Sequence, residues 1–252
     1  MRILVSNDDG IFSPGLLALA RAASEFGEVR IVAPDVEQSS MGHAITHSRP
    51  LVCRSADVGD FEAYRVNGTP ADCVALGMYR WGEVDAVVSG INLGLNLGNS
   101  TWHSGTLAAA KQAVLLNRQG IAFSAPSFDH HESYEPLVPF VAEVLDRLLG
   151  DEGFPLVNVN LPAEPRGLRW TRQSVRHYAG AVVPGEHPAG HEHFWFVVKP
   201  VEEVEEGSDR WAVEEGYVSM TPLRLDLTDV DALRRARASF EGRPPDRDAP
   251  RG

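Results

Sequence analysis

Two adjacent carboxylates, Asp8 and Asp9, follow the first apolar segment of the chain. That segment, residues 3–5, is typical of a buried strand, and Gly10 directly after the pair is typical of a tight turn. Neighbouring carboxylates repel each other by roughly 1 to 4 kcal/mol at about 4 Å, depending on the local dielectric, and a bound cation relieves that repulsion. The residues alone leave two interpretations open: a cation site, or a turn whose aspartates are exposed and spread apart.

Further oxygen donors follow two other predicted strands. Ser39 and Ser40 lie in a polar segment after the strand at residues 29–32, and Asn92 lies in a loop after the strand at residues 84–88. Parallel α/β sheets bind ligands beyond the carboxyl ends of their strands, so these loops are expected to meet. Carboxylate, hydroxyl and amide oxygens together suit Mg²⁺ or Mn²⁺, whereas an ordinary loop or a serine helix cap is the alternative. The predicted metal ligands are Asp8, Asp9, Ser39 and Asn92.

A candidate anion site comes next in the chain. The glycine-rich segment at residues 89–98 allows close backbone approach to a ligand, and the side-chain amide of Asn96 can donate a hydrogen bond to a phosphate. A Ser-Gly-Thr sequence at a predicted helix start offers free N–H groups, hydroxyls and the positive end of the helix dipole. The predicted phosphate ligands are Asn96, Ser104, Gly105 and Thr106. Glycine-rich turns and simple helix capping are the alternatives.

A metal beside an anion site points to phosphoryl chemistry. Phosphate monoesters hydrolyse very slowly without help, so a catalyst must neutralise the phosphoryl oxygens and acidify the attacking water. Asp8 and Asp9 are the candidate catalytic residues, one of them as proton acceptor, and a covalent aspartyl-phosphate route is the alternative. His103 is either a general acid or an ordinary packed or exposed histidine.

The elements that must position these residues alternate between strand and helix up to about residue 165. A helix is predicted from Ser13 as N-cap to Gly27, and another from Thr69 as N-cap, with Pro70 and Asp72 in its first turn. The remaining predicted strands lie at 121–124 and 156–160, with β structure within 44–66, and the remaining helices lie at 107–117 and 134–149. This alternation predicts an α/β protein with a doubly wound, mostly parallel sheet.

The C-terminal third has a different pattern. Residues 168–224 consist of shorter β-like segments with acidic turns, as at 202–209, and exposed aromatics that indicate an arm or a subunit contact. A helix is predicted at 230–240. We therefore expect a core at 1–165, a β-rich arm with the C-terminal helix at 166–240 as part of the same domain, and a disordered tail at 241–252.

Composition excludes several classes of function. The formal net charge of −12 argues against binding a nucleic-acid duplex, which depends on clustered Lys and Arg. No stretch approaches the roughly 20 apolar residues of a membrane span. The chain enters a strand at once, without the basic and apolar regions of a signal peptide, so a cytoplasmic protein is expected.

An ordered set of segments resembles the SurE family, the survival-protein nucleotidases. The matching segments lie at residues 3–10, 33–35, 38–40, 67–73, 88–98, 104–106, 158–162 and 215–223. The resemblance implies a Rossmann-like core and a metal-dependent phosphatase of nucleoside 5′- and 3′-monophosphates. It also implies one divalent metal, Mg²⁺ or Mn²⁺, per subunit, and a C-terminal arm that builds homodimers or homotetramers. Carried over by position, the family's metal ligands and phosphate-binding stretch fall on the two sets of residues predicted above.

Two other functions are compatible with parts of the sequence. A non-catalytic protein that senses or binds nucleotides through a metal would need the same residues. A Rossmann dehydrogenase is disfavoured because the glycine spacing at residues 90, 94 and 98 is not the dinucleotide-binding GxGxxG pattern.

Overall fold

The computed structural model describes residues 1–126, 133–175, 178–185, 190–200 and 203–240. The strands are β1 Arg2–Ser6, β2 Glu28–Pro34, β3 Cys53–Val58, β4 Phe61–Val66, β5 Ala86–Leu93, β6 Gln119–Ala125, β7 Leu156–Asn160, β8 Leu168–Trp170, β9 Tyr178–Gly185, β10 His193–Pro200 and β11 Val218–Pro222. The α-helices are α1 Pro14–Ser24, α2 Pro70–Trp81, α3 Gly105–Leu115, α4 Val138–Leu148, α5 Asp209–Glu214 and α6 Val230–Phe240. Short 3₁₀ helices lie at Gly98–Trp102 and Glu135–Leu137.

The main sheet has the strand order β3-β4-β2-β1-β5-β6-β7-β11-β8. Its central pairings, from β4 through β7, are all parallel, while β3 and β11 run antiparallel to β4 and β7. The chain builds outward from β1 to β2 and β4, then returns beside β1 as β5 and continues to β6 and β7. The order therefore reverses between β1 and β5, and such a switch point is where open α/β sheets bind ligands. The predicted doubly wound, mostly parallel α/β fold is confirmed.

Helices cover both faces of this sheet, which is why β1 is apolar without interruption. Ile3 and Val5 pack in the core cluster that contains residues of α1 and α4, whereas Leu4 packs in the cluster that contains residues of α2 and α3. All three side chains are fully buried. A strand that is buried on both faces has a continuous apolar sequence. Because β1 ends at Ser6, Asp8 lies just beyond the part of the sheet that the helices cover.

The α2 start predicted from Thr69, Pro70 and Asp72 is confirmed. The Thr69 hydroxyl accepts a hydrogen bond from the Asp72 N–H at 3.1 Å, and the Asp72 carboxylate accepts one from the Thr69 N–H at 2.9 Å. The start predicted at Ser13 differs: Ser13 occupies the N-cap position of α1, but its side chain makes no capping hydrogen bond. Pro14, with its fixed φ and no N–H, is sufficient to begin that helix.

Several predicted boundaries need correction. β structure within 44–66 begins only at Cys53, and the helix predicted at 134–149 starts as a 3₁₀ turn before α4 begins at Val138. The described part of the acidic segment at 202–209 contains a turn at residues 206–207, and the short helix α5 follows it with Ser208 as N-cap. The main sheet also continues past residue 165, since β8 and β11 belong to it.

The remaining β structure is a separate antiparallel hairpin, β9–β10, which carries the aromatic side chains predicted to be exposed. The helix predicted at 230–240 is α6. The tail predicted to be disordered, 241–252, lies outside the described residues. We find no membrane-spanning helix in the part of the chain that the structure describes.

Candidate active site

A cleft of about 520 Å³ opens at the carboxyl ends of β1 and β5, at the switch point of the sheet. Its walls come from loops that are distant in the sequence. The lining residues include Asp8, Ser39, Ser40, Asn92, Asn96, Ser100, His103, Ser104 and Phe196. The structure thus brings together most of the side chains that the sequence predicted to meet.

Asp8 is held against the N-terminus of α3. The Thr106 hydroxyl donates a hydrogen bond to Asp8 Oδ1 at 2.5 Å, and the backbone N–H groups of Gly105 and Thr106 donate to the same carboxylate. A Cβ on Gly105 would lie 2.8 Å from the Asp8 side chain, so this approach requires glycine. Thr106 is fully buried. In this structure Gly105 and Thr106, predicted as phosphate ligands, therefore contact and orient a carboxylate.

Asp9 turns toward β5, where its Oδ2 accepts a hydrogen bond from the Leu93 N–H at 3.1 Å. Burial and the neighbouring Asp8 charge raise the pKa of Asp9 to about 6, and Glu37 adds a smaller effect in the same direction. Burial also raises the pKa of Asp8, and its hydrogen bonds from Thr106 and Gly105 offset this only in part. The charged form of both carboxylates is therefore disfavoured, and a nearby cation would stabilise it.

Ser39 and Asn92 supply neutral oxygens at the same cleft. The Asn92 side-chain NH₂ group donates to the Gly94 carbonyl at 2.5 Å, so the side-chain oxygen is available to bind a cation. The Ser39 hydroxyl donates to Glu37 at 2.6 Å and keeps lone pairs available. The loop that carries Ser39 is tied to the acidic turn, because the Gln38 N–H donates to the Asp8 carbonyl at 2.8 Å.

This donor set fits a hard divalent cation. It combines two carboxylates of raised pKa with a hydroxyl and an amide oxygen, the ligand types that Mg²⁺ and Mn²⁺ prefer. Within the described ranges, no group of three or more His, Cys, Asp or Glu side chains is arranged to hold a metal. The candidate ligands in the described residues are therefore two carboxylates and two neutral oxygen donors.

Asn96 is fixed by polar side chains buried in β6 and β7. Its amide donates to the Ser124 hydroxyl at 2.8 Å, and its N–H donates to Asn160 Oδ1 at 2.8 Å. Its carbonyl accepts from Asn158 at 2.8 Å and from Asn160 at 3.1 Å. Asn158 and Asn160 were not predicted as site residues, although two asparagines on one face of an otherwise apolar strand signal a buried polar role.

Ser104 and His103 close the other side of the cleft. Ser104 is the N-cap of α3, and its hydroxyl accepts a hydrogen bond from the Leu107 N–H at 3.0 Å. His103 is exposed at the cleft wall, and its carbonyl accepts from the Gly42 N–H at 3.0 Å. A histidine at this position can reach a ligand in the cleft from the solvent side.

Comparison with known proteins identifies the family. The model of the family described as "Survival protein SurE" matches residues 3–180. The chain belongs to the SurE family. It is 48% identical over 249 residues to 5′-nucleotidase SurE 1 of Thermus thermophilus, covering 96% of this chain and 99% of that protein. It is 44% identical to 5′-nucleotidase SurE of Deinococcus radiodurans, covering 92% of this chain and 90% of that one.

A solved structure of the SurE family agrees with the fold. The crystal structure of the SurE protein from Aquifex aeolicus superimposes with a TM-score of 0.81 at 38% sequence identity, covering 95% of this chain and 99% of that chain. The predicted resemblance to the SurE family is confirmed over nearly the whole chain.

One wall of the cleft in this SurE family member was not predicted from the sequence. Phe196, on strand β10 of the hairpin, lines the cleft and is 66% exposed. The aromatic run at 193–198 indicated a subunit contact, and nothing in its pattern separated Phe196 from the equally exposed Phe194 and Trp195. Only the fold shows which of these aromatic rings reaches the site.

Proposed function

We propose that this protein is a divalent-metal-dependent phosphatase that hydrolyses nucleoside 5′- and 3′-monophosphates to nucleoside and phosphate. The observation that carries the proposal is one cleft in which Asp8 is fixed at a helix N-terminus beside Ser39 and Asn92. The names of the relatives in Thermus thermophilus and Deinococcus radiodurans, both 5′-nucleotidases, support the same activity.

The metal is Mg²⁺ or Mn²⁺, one per subunit, with Asp8, Asp9, Ser39 and Asn92 as its ligands in this proposal. When bound, a divalent cation supplies positive charge that offsets the two carboxylates and the phosphoryl oxygens, and it acidifies the attacking water. The raised pKa values of Asp8 and Asp9 support this assignment, because each carboxylate gains from a nearby positive charge.

Asp8 and Asp9 are the catalytic residues in this proposal. One of the two accepts the proton of the attacking water in this proposal. Without metal, burial raises the pKa of both carboxylates, and the Asp8 charge raises the pKa of Asp9 further. The Thr106 hydroxyl and the α3 N–H groups keep the Asp8 carboxylate in a fixed orientation. A fixed base needs no reorganisation when the reaction starts.

The phosphate side of the cleft is formed by Asn96 and by Ser104, Gly105 and Thr106 in this proposal. Asn96 and Ser104 line the cleft, and both are almost fully buried by the residues that hold them. The N-terminus of α3 places the positive end of its dipole at the same point. Because the Gly105 and Thr106 N–H groups already hold Asp8, a phosphate in this proposal lies beside that carboxylate, against Asn96 and Ser104, and shares the charge of the bound metal.

Assembly and location extend the proposal. Within residues 166–240, the hairpin β9–β10 is the arm that joins subunits into a homodimer or homotetramer in this proposal, and the exposed aromatic side chains of β10 support this role. Light scattering coupled to size exclusion should give a mass of two or four chains. A cytoplasmic location, predicted from the sequence, is tested by cell fractionation.

Phosphate release tests the activity directly. Wild-type protein is incubated with nucleoside 5′- and 3′-monophosphates and with simple phosphate esters, in Mn²⁺, in Mg²⁺ or in chelator. We expect release that requires the metal, returns when metal is added back, and favours nucleotides. Protein that binds nucleotides with metal but releases no phosphate would instead be a metal-dependent nucleotide sensor.

The route of hydrolysis needs a separate experiment. Direct attack by water incorporates solvent ¹⁸O into the released phosphate in a single turnover, even when enzyme exceeds substrate. A covalent aspartyl-phosphate would be trapped on Asp8 or Asp9 by rapid acid quench. Its hydrolysis labels the phosphate if water attacks phosphorus and labels the aspartate carboxyl group if water attacks the acyl carbon, so the trapped phosphoenzyme, not labelled phosphate alone, identifies the covalent route.

A further inference from the structure

Asp209, at the start of α5, is a fully buried carboxylate far from the acidic turn in the sequence. Its Oδ2 accepts a hydrogen bond from the backbone N–H of Gly98 at 2.8 Å. Gly98 begins the 3₁₀ helix Gly98–Trp102, with a φ of +52°. A carboxylate from the C-terminal part of the chain is therefore bonded to the backbone of the glycine-rich loop.

Gly98 is also held through its carbonyl group. Gln173 Nε2 donates to the Gly98 carbonyl at 2.6 Å and to the Thr101 hydroxyl at 2.8 Å. Gly98 thus donates to one residue and accepts from another, and both come from the segment after residue 165. These hydrogen bonds act on the two peptide groups that flank the Gly98 Cα and so fix the residue in position and orientation.

Asp209 is itself rigidly placed. Its Oδ1 accepts from the N–H of Ser174 at 2.9 Å and from the N–H of Arg210 at 2.8 Å. The Arg210 side chain is 4% exposed and donates to the Glu203 carbonyl at 3.0 Å. Hydrogen bonds from the backbone to a carboxylate are among the stronger ones in proteins, so this arrangement resists movement.

The segment that Asp209 holds connects both halves of the predicted phosphate site. Asn96 lies two residues before Gly98, and Ser104 follows the 3₁₀ helix that begins at Gly98. Ser100, within that helix, also lines the cleft. The metal ligands Asp8, Asp9 and Asn92 lie outside this segment. Displacement of Gly98 would therefore act first on the phosphate side of the cleft, because no candidate metal ligand lies between Asn96 and Ser104.

We propose that Asp209, supported by Gln173, is a positioning residue that sets the phosphate affinity of the cleft through the backbone of Gly98. The inference rests on the proposed phosphatase and adds a residue that acts without touching substrate. Its expected signature is a loss of phosphate binding and a raised KM, with unchanged affinity for the metal.

Asp209→Asn tests the proposal with little change in size. The asparagine side chain has one carbonyl oxygen, so it cannot accept from both Gly98 and Ser174, and an NH₂ group must face an N–H donor. We expect the dissociation constant of inorganic phosphate, measured calorimetrically in Mn²⁺, and the KM for a nucleoside monophosphate to rise roughly 10- to 100-fold. Titration of Mn²⁺ alone should give the wild-type affinity.

Ser208→Ala is the matched control. Its hydroxyl accepts a hydrogen bond from the Trp211 N–H at 3.2 Å and caps the same helix without touching Gly98. We expect it to lower the melting temperature and to keep wild-type phosphate affinity. Equal phosphate affinity in Asp209→Asn and Ser208→Ala would overturn the proposal.

Gln173→Leu covers the case in which Asp209→Asn does not fold. It leaves α5 intact, removes the donor to the Gly98 carbonyl, and should weaken phosphate binding in the same direction. Wild-type phosphate affinity in Gln173→Leu would then decide against the proposal. Failure of the proposed activity gives a different result: wild-type protein that binds phosphate but hydrolyses no nucleotide refutes the phosphatase and leaves the role of Asp209 measurable.

Discussion

The N-termini of α2 and α3 begin with similar sequences and have different partners. In α2, Thr69 is the N-cap and Asp72, three residues later, returns a carboxylate to the Thr69 N–H at 2.9 Å. In α3, Ser104 is the N-cap and the first turn holds no acidic residue. The carboxylate at α3 is Asp8, which lies 98 residues away in the sequence. One helix satisfies its own N-terminus, and the other takes an anion from a different strand.

The two carboxylates respond in opposite ways. Burial raises the pKa of Asp72, but hydrogen bonds from Thr46 and Thr69 outweigh it and hold that pKa below its ordinary value. Burial raises the pKa of Asp8, and hydrogen bonds from Thr106 and Gly105 do not cancel it. The Thr46 and Thr69 hydrogen bonds thus favour the charged form of Asp72. At α3 burial disfavours the charged form of Asp8, and a nearby cation would stabilise it.

Exchanging each aspartate for asparagine should separate the two roles most clearly. Asp8→Asn removes a proposed metal ligand and a candidate base, so we expect phosphate release to fall by roughly 10³-fold or more in saturating Mn²⁺, in a protein that still folds. Asp72→Asn weakens a helix cap and should cost about 1 kcal/mol of unfolding free energy while phosphate release persists. The measurements are steady-state phosphate release and urea unfolding.

A large loss of activity in both variants would contradict this comparison, because it would make the α2 cap part of the site. Full activity in Asp8→Asn would remove Asp8 from the catalytic pair.

The paired threonines give a smaller effect. Thr106→Val keeps the shape of the side chain and removes the hydroxyl that donates to Asp8, so we expect kcat to fall roughly 10- to 100-fold, as for other groups that orient a metal ligand. Thr69→Val should lower stability by roughly 0.5 to 2 kcal/mol and leave kcat unchanged. Thr106→Ser, which retains a hydroxyl, is the rescue control, and failure of serine to restore activity would argue for a packing role.

The contributions of Asp9 and Asp72 to folding stability should change with pH in opposite directions. The folded pKa of Asp9, about 6, lies above its ordinary value of 3.8, so the folded protein binds a proton more tightly than the unfolded chain. Metal-free protein should therefore lose stability as pH rises from about 4 to about 6. Asp72, with its lowered pKa, contributes stability above its ordinary pKa and loses that contribution as pH falls through the folded value.

Melting temperatures of metal-free protein at pH 5 and pH 7 measure this difference. We expect Asp9→Asn to raise the melting temperature at pH 7 by roughly 3 to 5 °C and to have little effect at lower pH. Mn²⁺ should raise the melting temperature of wild type at pH 7 and not that of Asp9→Asn. A wild-type melting temperature that rises steadily from pH 5 to pH 7 in chelator would contradict the raised pKa of Asp9.

The sequence was most informative where a rule acts over a few residues. Apolar runs bounded by turns located the central strands, and the pattern of Thr69, Pro70 and Asp72 located the start of α2. Because parallel strands bring their carboxyl ends to one edge, those elements also predicted that Asp8 and Asn92 would share a cleft.

Contacts between distant segments were not predictable in this way. Asp209 lies in an acidic stretch that resembles a surface turn, and its burial depends on how the segment after β8 packs beside Gly98. The roles of Gly105 and Thr106 depend likewise on the closeness of Asp8, which no local pattern records. The Asp8 carboxylate is an anion, as a bound phosphate would be. The sequence therefore predicted an anion site at the N-terminus of α3 without predicting that Asp8 contacts it.

Replacement of Phe196 has the smallest predicted effect, and it tests whether the cleft beside the N-terminus of α3 binds the nucleoside part of the substrate. Phe194 and Phe196 lie on the same face of β10 with similar exposure, 60% and 66%, but only Phe196 of the two is among the residues that line the cleft beside Ser104. Stacking of a base on an aromatic ring contributes roughly 1 to 3 kcal/mol. Because this ring is exposed, we expect the low end of that range, so Phe196→Ala should lower kcat/KM for a nucleoside monophosphate about fivefold.

Two controls separate base stacking from other effects. Phe196→Ala should hydrolyse ribose 5-phosphate, which has no base, at the wild-type rate, and Phe194→Ala should hydrolyse both substrates at the wild-type rate. An equal loss with both substrates would place Phe196 on the phosphate side of the cleft, and an equal loss in both variants would assign the hairpin to assembly of the subunits.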